Sequence, residues 1–149
     1  MSDKAQFALQ RIYVKDASFE SPKAPHGFRE KWQPKINLEL SSKHSHIEGD
    51  LYEVVLNATI KAQTEEDEAM YLIEVQQAGI FMLQGFEKDA RLQMLGSTCP
   101  NILFPYTREF VDSIVLKGSF PPLMLSPVNF EALYQQSLGE QARRENKIQ

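Results

Sequence analysis

Three consecutive stretches of the chain, 35–41, 51–62 and 69–78, alternate apolar with polar residues. A period of two places every second side chain on the same side, which is the pattern of a β-strand that buries one face. The polar segments SHIEGD (45–50) and TEEDE (64–68) lie between these stretches. Because short polar turns join antiparallel neighbours, the alternation predicts an antiparallel meander of three strands.

A further strand is predicted at the start of the chain, over 5–16. Its apolar residues fall on both sides, with Phe7, Leu9 and Tyr13 on one and Ala8, Ile12 and Val14 on the other. Both faces of this strand are therefore expected to be covered. The stretch 19–34 contains three prolines and predicts a long irregular connection, which in a small domain usually has a function.

Helical spacing replaces the alternation after Gly85. Residues 90–95 indicate a short helix that Gly96 would end. A longer helix is predicted with Pro105 near its start and Gly118 as its stop. Its apolar stripe consists of Phe110, Val111, Ile114 and Val115.

A last helix is predicted to open with Ser126 as N-cap and Pro127 at its first position. One face of this helix carries Phe130, Leu133, Tyr134 and Leu138. Because apolar residues almost disappear beyond Gly139, residues from about 139 to 149 are expected to form a flexible tail. Strands followed by two main helices and a short one predict a single α+β domain, 1–149, with a four-stranded antiparallel sheet.

Composition and charge narrow the classes of partner and compartment. The chain has 16 Lys and Arg against 20 Asp and Glu, and this net charge of −4 argues against a nucleic-acid partner. The N-terminus has no apolar segment of signal-peptide length, and no stretch approaches the roughly 18 apolar residues of a membrane span. The single cysteine, Cys99, agrees with a reducing compartment. We therefore expect a cytoplasmic protein that does not insert into membranes.

The sequence carries no recognisable motif for catalysis. Neither G-x-x-x-x-G-K-[ST] nor G-x-G-x-x-G occurs. His44 and His46 are interpreted as solvated loop residues, because a catalytic zinc needs about three protein ligands. Cys99 is interpreted as a buried structural thiol. The sequence thus predicts no enzyme, no metal and no cofactor, and a small hydrolase or isomerase is the weakest alternative because no set of acid, base and nucleophile can be proposed.

Aromatic and flexible apolar residues are concentrated in segments predicted to be irregular. They include Phe28, Trp32 and the stretch SFPPLML (119–125). Such residues either close off a small core or line a groove for apolar segments, since adaptable side chains suit promiscuous binding. Three strands also carry apolar residues on both faces, more than two helices can cover. An oligomer is therefore expected.

Five strings carry a resemblance to a known family. They are RIYVKDASFESP (11–22), YEVVL (52–56), EVQQAGIF (74–81), CPNILFPYTRE (99–109) and PVNFEALY (127–134). In this order they resemble the signature segments of SecB, the bacterial protein-export chaperone family. The resemblance spans nearly the whole chain and is weakest at the N-terminus, in 41–51 and 62–69, and after residue 138.

The resemblance implies a chaperone that binds unfolded, signal-bearing precursor proteins without ATP and delivers them to the SecA motor ATPase. It also implies a homotetramer built as a dimer of dimers. In this family the acidic sheet surface that docks the basic, zinc-bearing C-terminal tail of SecA corresponds to Asp16, Glu20, Leu72 and Glu74. Any zinc then belongs to the partner. The opposite side of the fourth strand, implied to lie between dimers, carries Tyr71, Ile73, Val75 and Gln77.

The resemblance also implies a groove for unfolded clients between the long proline-containing loop and the last helix. The residues implied to line it are Phe28, Trp32, Phe130, Leu133 and Tyr134. The same side chains can equally belong to an ordinary core. The alternative function is an oligomeric adaptor that binds one folded partner through the acidic sheet surface and holds no unfolded clients.

Overall fold

A computed structural model describes residues 4–148 of the chain. Four strands form one antiparallel sheet in the order β1-β4-β3-β2. Their bounds are β1 Gln6–Glu20, β2 Lys35–Glu48, β3 Leu51–Gln63 and β4 Ala69–Gln84. The helices are α1 Lys88–Gln93, α2 Cys99–Lys117 and α3 Phe130–Ile148, and a short 3-10 turn covers His26–Arg29. The predicted α+β fold and the meander of β2, β3 and β4 are confirmed.

Strand β2 extends well beyond the predicted stretch 35–41. Its second half has few apolar side chains, but its backbone continues to pair with the start of β3. Hydrogen bonding to the neighbouring strand, rather than an apolar face, maintains the extended conformation here. His44 and His46 therefore lie on this strand, opposite Val54 and Tyr52, and their interpretation as loop residues is wrong.

Strand β1 contains two β-bulges, at Gln10 and at Lys15, where its pairing with β4 skips one residue. Each extra residue shifts the alternation, so that Phe7 lies opposite Leu83 whereas Tyr13 lies opposite Ala78. The prediction that Phe7 and Tyr13 share one side of the strand is wrong for this reason. The chain itself does not cover both faces of β1 either, since this strand is an edge of the sheet and remains largely exposed.

The core lies between one side of the sheet, here called the helix-facing side, and helix α2. The other side of the sheet is the outer face. Strand β4 contributes Ile73 and Val75 to the helix-facing side, and α2 contributes Val111 and Val115. Each fully buried side chain of this kind stabilises the fold by about 1.5–3 kcal/mol. The contact between sheet and helix is therefore the main apolar contribution to folding.

Helix α1 does not end at Gly96 as predicted. A π-helical turn, Met94–Thr98, joins α1 to α2, so the chain remains helical up to the cap at Gly118. The start of α2 is also earlier than predicted, because Pro105 lies inside this helix. Pro100 occupies the first turn of α2, directly after the π-helical turn. The predicted stop at Gly118 is confirmed.

Helix α3 begins at Phe130 rather than at Pro127. The side chain of Asn129 supplies the cap, since its Oδ1 accepts the N–H of Ala132 at 3.0 Å. The predicted capping role of Ser126 is therefore wrong. Helix α3 then continues through Gly139 to Ile148. The flexibility expected for 139–149 stays a prediction, and Gln149 lies outside the described residues.

Phe120 is the centre of an aromatic cluster beside the end of α2. It is 5% exposed, although it belongs to the segment 119–125, which is predicted to be irregular. Its ring centroid lies 4.9 Å from that of Tyr71, 5.3 Å from that of Trp32 and 5.4 Å from that of Phe28. Aromatic pairs at such distances stabilise beyond simple burial. The long connection after β1 is thereby attached to the core.

We expect Phe120→Ala to lower the free energy of unfolding by about 3–5 kcal/mol, because it removes a buried ring and leaves a cavity. Met124→Ala, in the same segment, should change it by less than about 0.5 kcal/mol, since Met124 is 73% exposed. Urea unfolding at one fixed protein concentration measures both. Equal, small effects of the two substitutions would contradict the central position of Phe120.

Candidate functional site

A groove of about 530 Å³ lies between β2 and helix α3. The sheet contributes Leu40, Ser41, Ser42, His44 and Leu56, the π-helical turn contributes Gly96, and α3 contributes Phe130, Leu133, Tyr134, Gln136, Ser137 and Glu140. Leu133 is 43% exposed, so apolar surface is open to solvent. A groove that exposes apolar side chains among polar ones can accept an extended apolar segment.

Helix α3 is placed by a close contact between Tyr134 and the backbone of Gly96. A Cβ atom added at Gly96 would lie 2.5 Å from Cδ1 of Tyr134, so that the ring or the helix that carries it would have to move. Phe130 packs edge-on against Phe104 of α2, with 5.7 Å between ring centroids. The absence of a side chain at Gly96 is therefore a condition for the observed wall of the groove.

Polar contacts at Glu131 fix the start of α3. Its Oε1 accepts hydrogen bonds from Gln93 at 2.8 Å and from Gln135 at 3.0 Å. Hydrogen bonds from Gln135, Ser97 and Gln93 lower the pKa of the Glu131 carboxyl. A charged carboxylate in the first helical turn also interacts favourably with the helix dipole. The side-chain hydrogen bond from Gln93 thus links α1 to α3.

Asp112 of α2 holds the segment that leads to α3. Its Oδ1 accepts the backbone N–H groups of Leu123 at 3.0 Å and of Met124 at 3.2 Å. Leu125, next in the chain, packs against both apolar clusters of the core. The segment 119–125 is therefore tied to the helix that covers the sheet.

The five residues implied as the client groove occupy two places. Phe130, Leu133 and Tyr134 line the groove. Trp32 instead lines a smaller cavity of about 290 Å³ near the turn between β3 and β4, and Phe28, 48% exposed, packs on the aromatic cluster. Sequence patterns separated these segments correctly from the strands but could not tell that they lie apart. Their role in client binding stays a prediction.

The four residues implied as the docking surface lie together on the outer face. Glu20 is opposite Leu72, Ser18 is opposite Glu74, and Asp16 is opposite Gln76 on the neighbouring strand. Asp16, Glu20 and Glu74 are exposed, and Leu72 is half-buried. None of the helices described in residues 4–148 packs on this side. The outer face is therefore accessible to a partner in the single chain.

The four residues implied to lie between dimers are on the helix-facing side of β4, not on the outer face. Tyr71, Ile73, Val75 and Gln77 are at most 3% exposed within the single chain. The three apolar ones belong to the layer under α2, and Gln77 donates a hydrogen bond to the backbone oxygen of Tyr13 at 3.2 Å. These side chains are therefore buried already within the single chain. Their place between dimers stays a prediction.

Sequence reasoning missed several residues of the site. Gly96 was interpreted as a helix stop, His44 as a loop residue, and Asp112 was not considered. A glycine between two helical segments can signal close packing of another element as well as a stop, and this was the available clue for Gly96. Asp112 has no comparable signal, because its bonds to Leu123 and Met124 depend on the tertiary fold.

Two candidate kinds of catalytic group, a metal centre and the thiol of Cys99, can be compared with the described part of the chain. Residues 4–148 contain no cluster of three or more His, Cys, Asp or Glu side chains that could hold a metal ion. Burial raises the pKa of the Cys99 thiol to about 12, so this thiol is protonated at neutral pH. Between residues 4 and 148, no helix has both the length and the hydropathy to cross a bilayer.

Comparisons with known proteins agree with this architecture. Residues 1–141 match the family model described as preprotein translocase subunit SecB. A protein-export protein SecB of Marinobacter nauticus is 56% identical over 136 residues, which are 91% of this chain and 82% of that protein. One of Pseudomonas aeruginosa is 52% identical over 133 residues, covering 89% and 82%. The chain belongs to the SecB family of protein-export chaperones.

A solved structure shares the fold at much lower identity. It is a SecB-like chaperone of Mycobacterium tuberculosis in complex with a peptide from an antitoxin, with a TM-score of 0.68 and 16% identity. The similarity covers 82% of this chain and 90% of that one. The likeness supports the arrangement of sheet and helices described above. SecB chaperones are not known as enzymes.

Two glycine-to-alanine substitutions provide a test of how α3 is placed. Gly96→Ala should lower the free energy of unfolding by about 1–3 kcal/mol, because the added Cβ collides with Tyr134. Gly139→Ala, in open space on α3, should raise it by about 0.5–1 kcal/mol through helix propensity. Thermal and urea unfolding give both values, and hydrogen exchange of α3 amides should accelerate in Gly96→Ala alone. Effects of the same sign would contradict the contact.

Proposed function

We propose that this chaperone binds extended apolar segments of unfolded, signal-bearing precursors in the groove beside α3, without ATP. The observation that carries the proposal is the apolar part of the helix wall, formed by Phe130, Leu133 and Tyr134, which faces the edge strand β2 across the groove. Binding of a peptide by the SecB-like chaperone of Mycobacterium tuberculosis supports it. Several weak grooves in one assembly would hold a long client through avidity.

The proposed assembly is a homotetramer arranged as a dimer of dimers. Apolar side chains on two surfaces of the single chain support it. Leu9 and Val14 on the edge strand β1 are 40% and 44% exposed. On α2, Tyr106 and Leu116 are 49% and 57% exposed. Oligomerisation through such surfaces would cover them, and symmetric dimers of dimers are a common solution.

The proposed partner at the outer face is the SecA motor ATPase in the cytoplasm, through its basic, zinc-bearing C-terminal tail. The carboxylates of Asp16, Glu20 and Glu74 provide negative charge, and Leu72 provides an apolar contact between them. Complementary charge accelerates and orients association. The client would then pass to the motor, which supplies the energy that the chaperone lacks.

A second candidate is an adaptor that binds a folded partner through the outer face and holds no unfolded clients. The acidic outer face favours the adaptor function, because none of the residues that form this surface lines the groove. The adaptor and the chaperone differ in one property, the arrest of folding.

The refolding of a slow-folding precursor, without nucleotide, tests the groove. We expect the wild-type protein to arrest refolding in a complex whose mass, by light scattering, equals four chains and one client. Leu133→Glu should weaken client binding by at least about tenfold, since a charge replaces apolar groove surface. Leu138→Glu is the matched control, being 42% exposed on the same helix but outside the groove lining. Unhindered refolding at saturating wild-type protein would exclude the chaperone reading and favour the adaptor.

Charge reversal tests the outer face independently. Glu74→Lys should weaken binding of the zinc-loaded SecA tail by about tenfold or more at low salt, because it places a like charge against a basic partner. Glu48→Lys, with the same charge change at the far end of β2, should have a much smaller effect. Calorimetric titration at two salt concentrations measures both. Equal losses for both variants would mean that net charge, not this surface, governs binding.

A further inference from the structure

A second charged network lies on the outer face, away from the proposed docking residues. Glu53 of β3 accepts a hydrogen bond from the phenol of Tyr13. Both of its carboxylate oxygens also accept from Nζ of Lys15, at 2.9 Å and 3.1 Å. These three side chains come from two strands that are separated by β4. One carboxylate thus holds both side chains across the sheet.

The β-bulge at Lys15 gives this network its position. In a regular strand, neighbouring side chains point to opposite faces. Here the register places Asp16 on the outer face, opposite Gln76, and the bonds of Lys15 to Glu53 place Lys15 on the same face. Two consecutive residues of opposite charge therefore point toward one surface. Without Glu53, the ammonium group of Lys15 would be free to pair with the carboxylate of Asp16.

The register also places most acidic and most basic residues of the outer face toward different ends. The acidic half carries Glu20, Glu74 and Glu39 and includes one cation beside them, Lys61, opposite Leu72, whereas the basic half carries Arg11 and Lys43. Asp16 belongs to the acidic half, and Lys15 is next to it. In the basic half the carboxylate that faces these cations is that of Glu53, opposite Ile80 on β4 and Ser45 on β2.

Glu53 is suited to remain charged and fixed. Its side chain is 17% exposed, against 45% for Lys15. Hydrogen bonds from Tyr13 and Lys15 lower the pKa of the Glu53 carboxyl. Burial, together with the hydrogen bond to Glu53, raises the pKa of the Tyr13 phenol to about 12, so Tyr13 remains a donor at neutral pH. The phenol therefore orients the carboxylate that binds Lys15.

We propose that Glu53, oriented by Tyr13, is a positioning residue that keeps Lys15 away from Asp16 and so preserves the negative charge of the docking surface. The inference rests on the proposed docking of a basic partner at the outer face. Glu53 itself need not touch the partner. Its effect on binding is exerted through the side chain of Lys15.

The test measures binding of the zinc-loaded SecA tail to the full-length protein at low salt. Glu53→Gln keeps the shape and a hydrogen-bond acceptor but frees Lys15, and should weaken binding by about 3–10-fold. Lys15→Gln alone should not weaken binding. The double variant Lys15→Gln with Glu53→Gln should return to within about twofold of the wild type. Tyr13→Phe should also weaken binding, but by a smaller factor than Glu53→Gln.

A charge-matched control separates positioning from net charge. Lys43→Gln with Glu53→Gln has the same net charge as the wild type but leaves Lys15 free, so it should stay weakened. Rescue by Lys43→Gln as complete as by Lys15→Gln would overturn the inference. It is also overturned if Glu53→Gln binds like the wild type, or if removal of Lys15 does not rescue. Unfolding midpoints and assembly mass of each variant exclude a general loss of structure.

Failure of the inference can be told apart from failure of the docking proposal. If the wild type binds the tail and Glu74→Lys does not, while Glu53→Gln is unaffected, only the positioning role of Glu53 fails. If the wild type itself does not bind the tail, docking at the outer face and the role of Glu53 both fail. At about 0.5 M salt the difference between Glu53→Gln and the wild type should largely vanish, because the charges are exposed.

Discussion

The packing of α2 across β3 and β4 determines what each other part of the chain can do. This single layer buries Ile73, Val75, Val111 and Val115 and leaves the opposite side of the sheet uncovered. It also provides the two points to which the C-terminal part is attached, Phe104 for α3 and Asp112 for the preceding segment. Loss of this layer would remove the groove and the aromatic cluster together.

Local departures from regular geometry shape the two candidate surfaces, the groove and the outer face. The π-helical turn brings Gly96 to the ring of Tyr134 and sets the distance of α3 from β2. Such turns are often found at functional sites. On the outer face, the bulge at Lys15 is the local irregularity that places Lys15 and Asp16 on the same surface. Regular elements alone would give neither arrangement.

The fold was predictable where a periodic pattern and burial coincide, as in β3 and β4. Errors arose where a backbone irregularity or a single side-chain contact determines the facing of a strand or the end of a helix. The bulges of β1 leave no trace in an apolar pattern, and Asn129 rather than Ser126 caps α3 because its side chain bonds to Ala132. The family resemblance indicated Leu133 and Tyr134, and both line the groove. It also indicated Trp32 for the groove, but this side chain lies beside the β3–β4 turn.

The alternation of β4 has a consequence for how cargo could leave the chaperone. A peptide held near Tyr134 lies on the helix-facing side, whereas a motor held at Glu74 lies on the other, with the sheet as a wall between them. Within a single chain, the sheet would keep two such ligands from touching at these positions. Transfer would then begin at unbound parts of the client that extend beyond the sheet. Alternatively, a change in the twist of the sheet would alter the binding of both ligands.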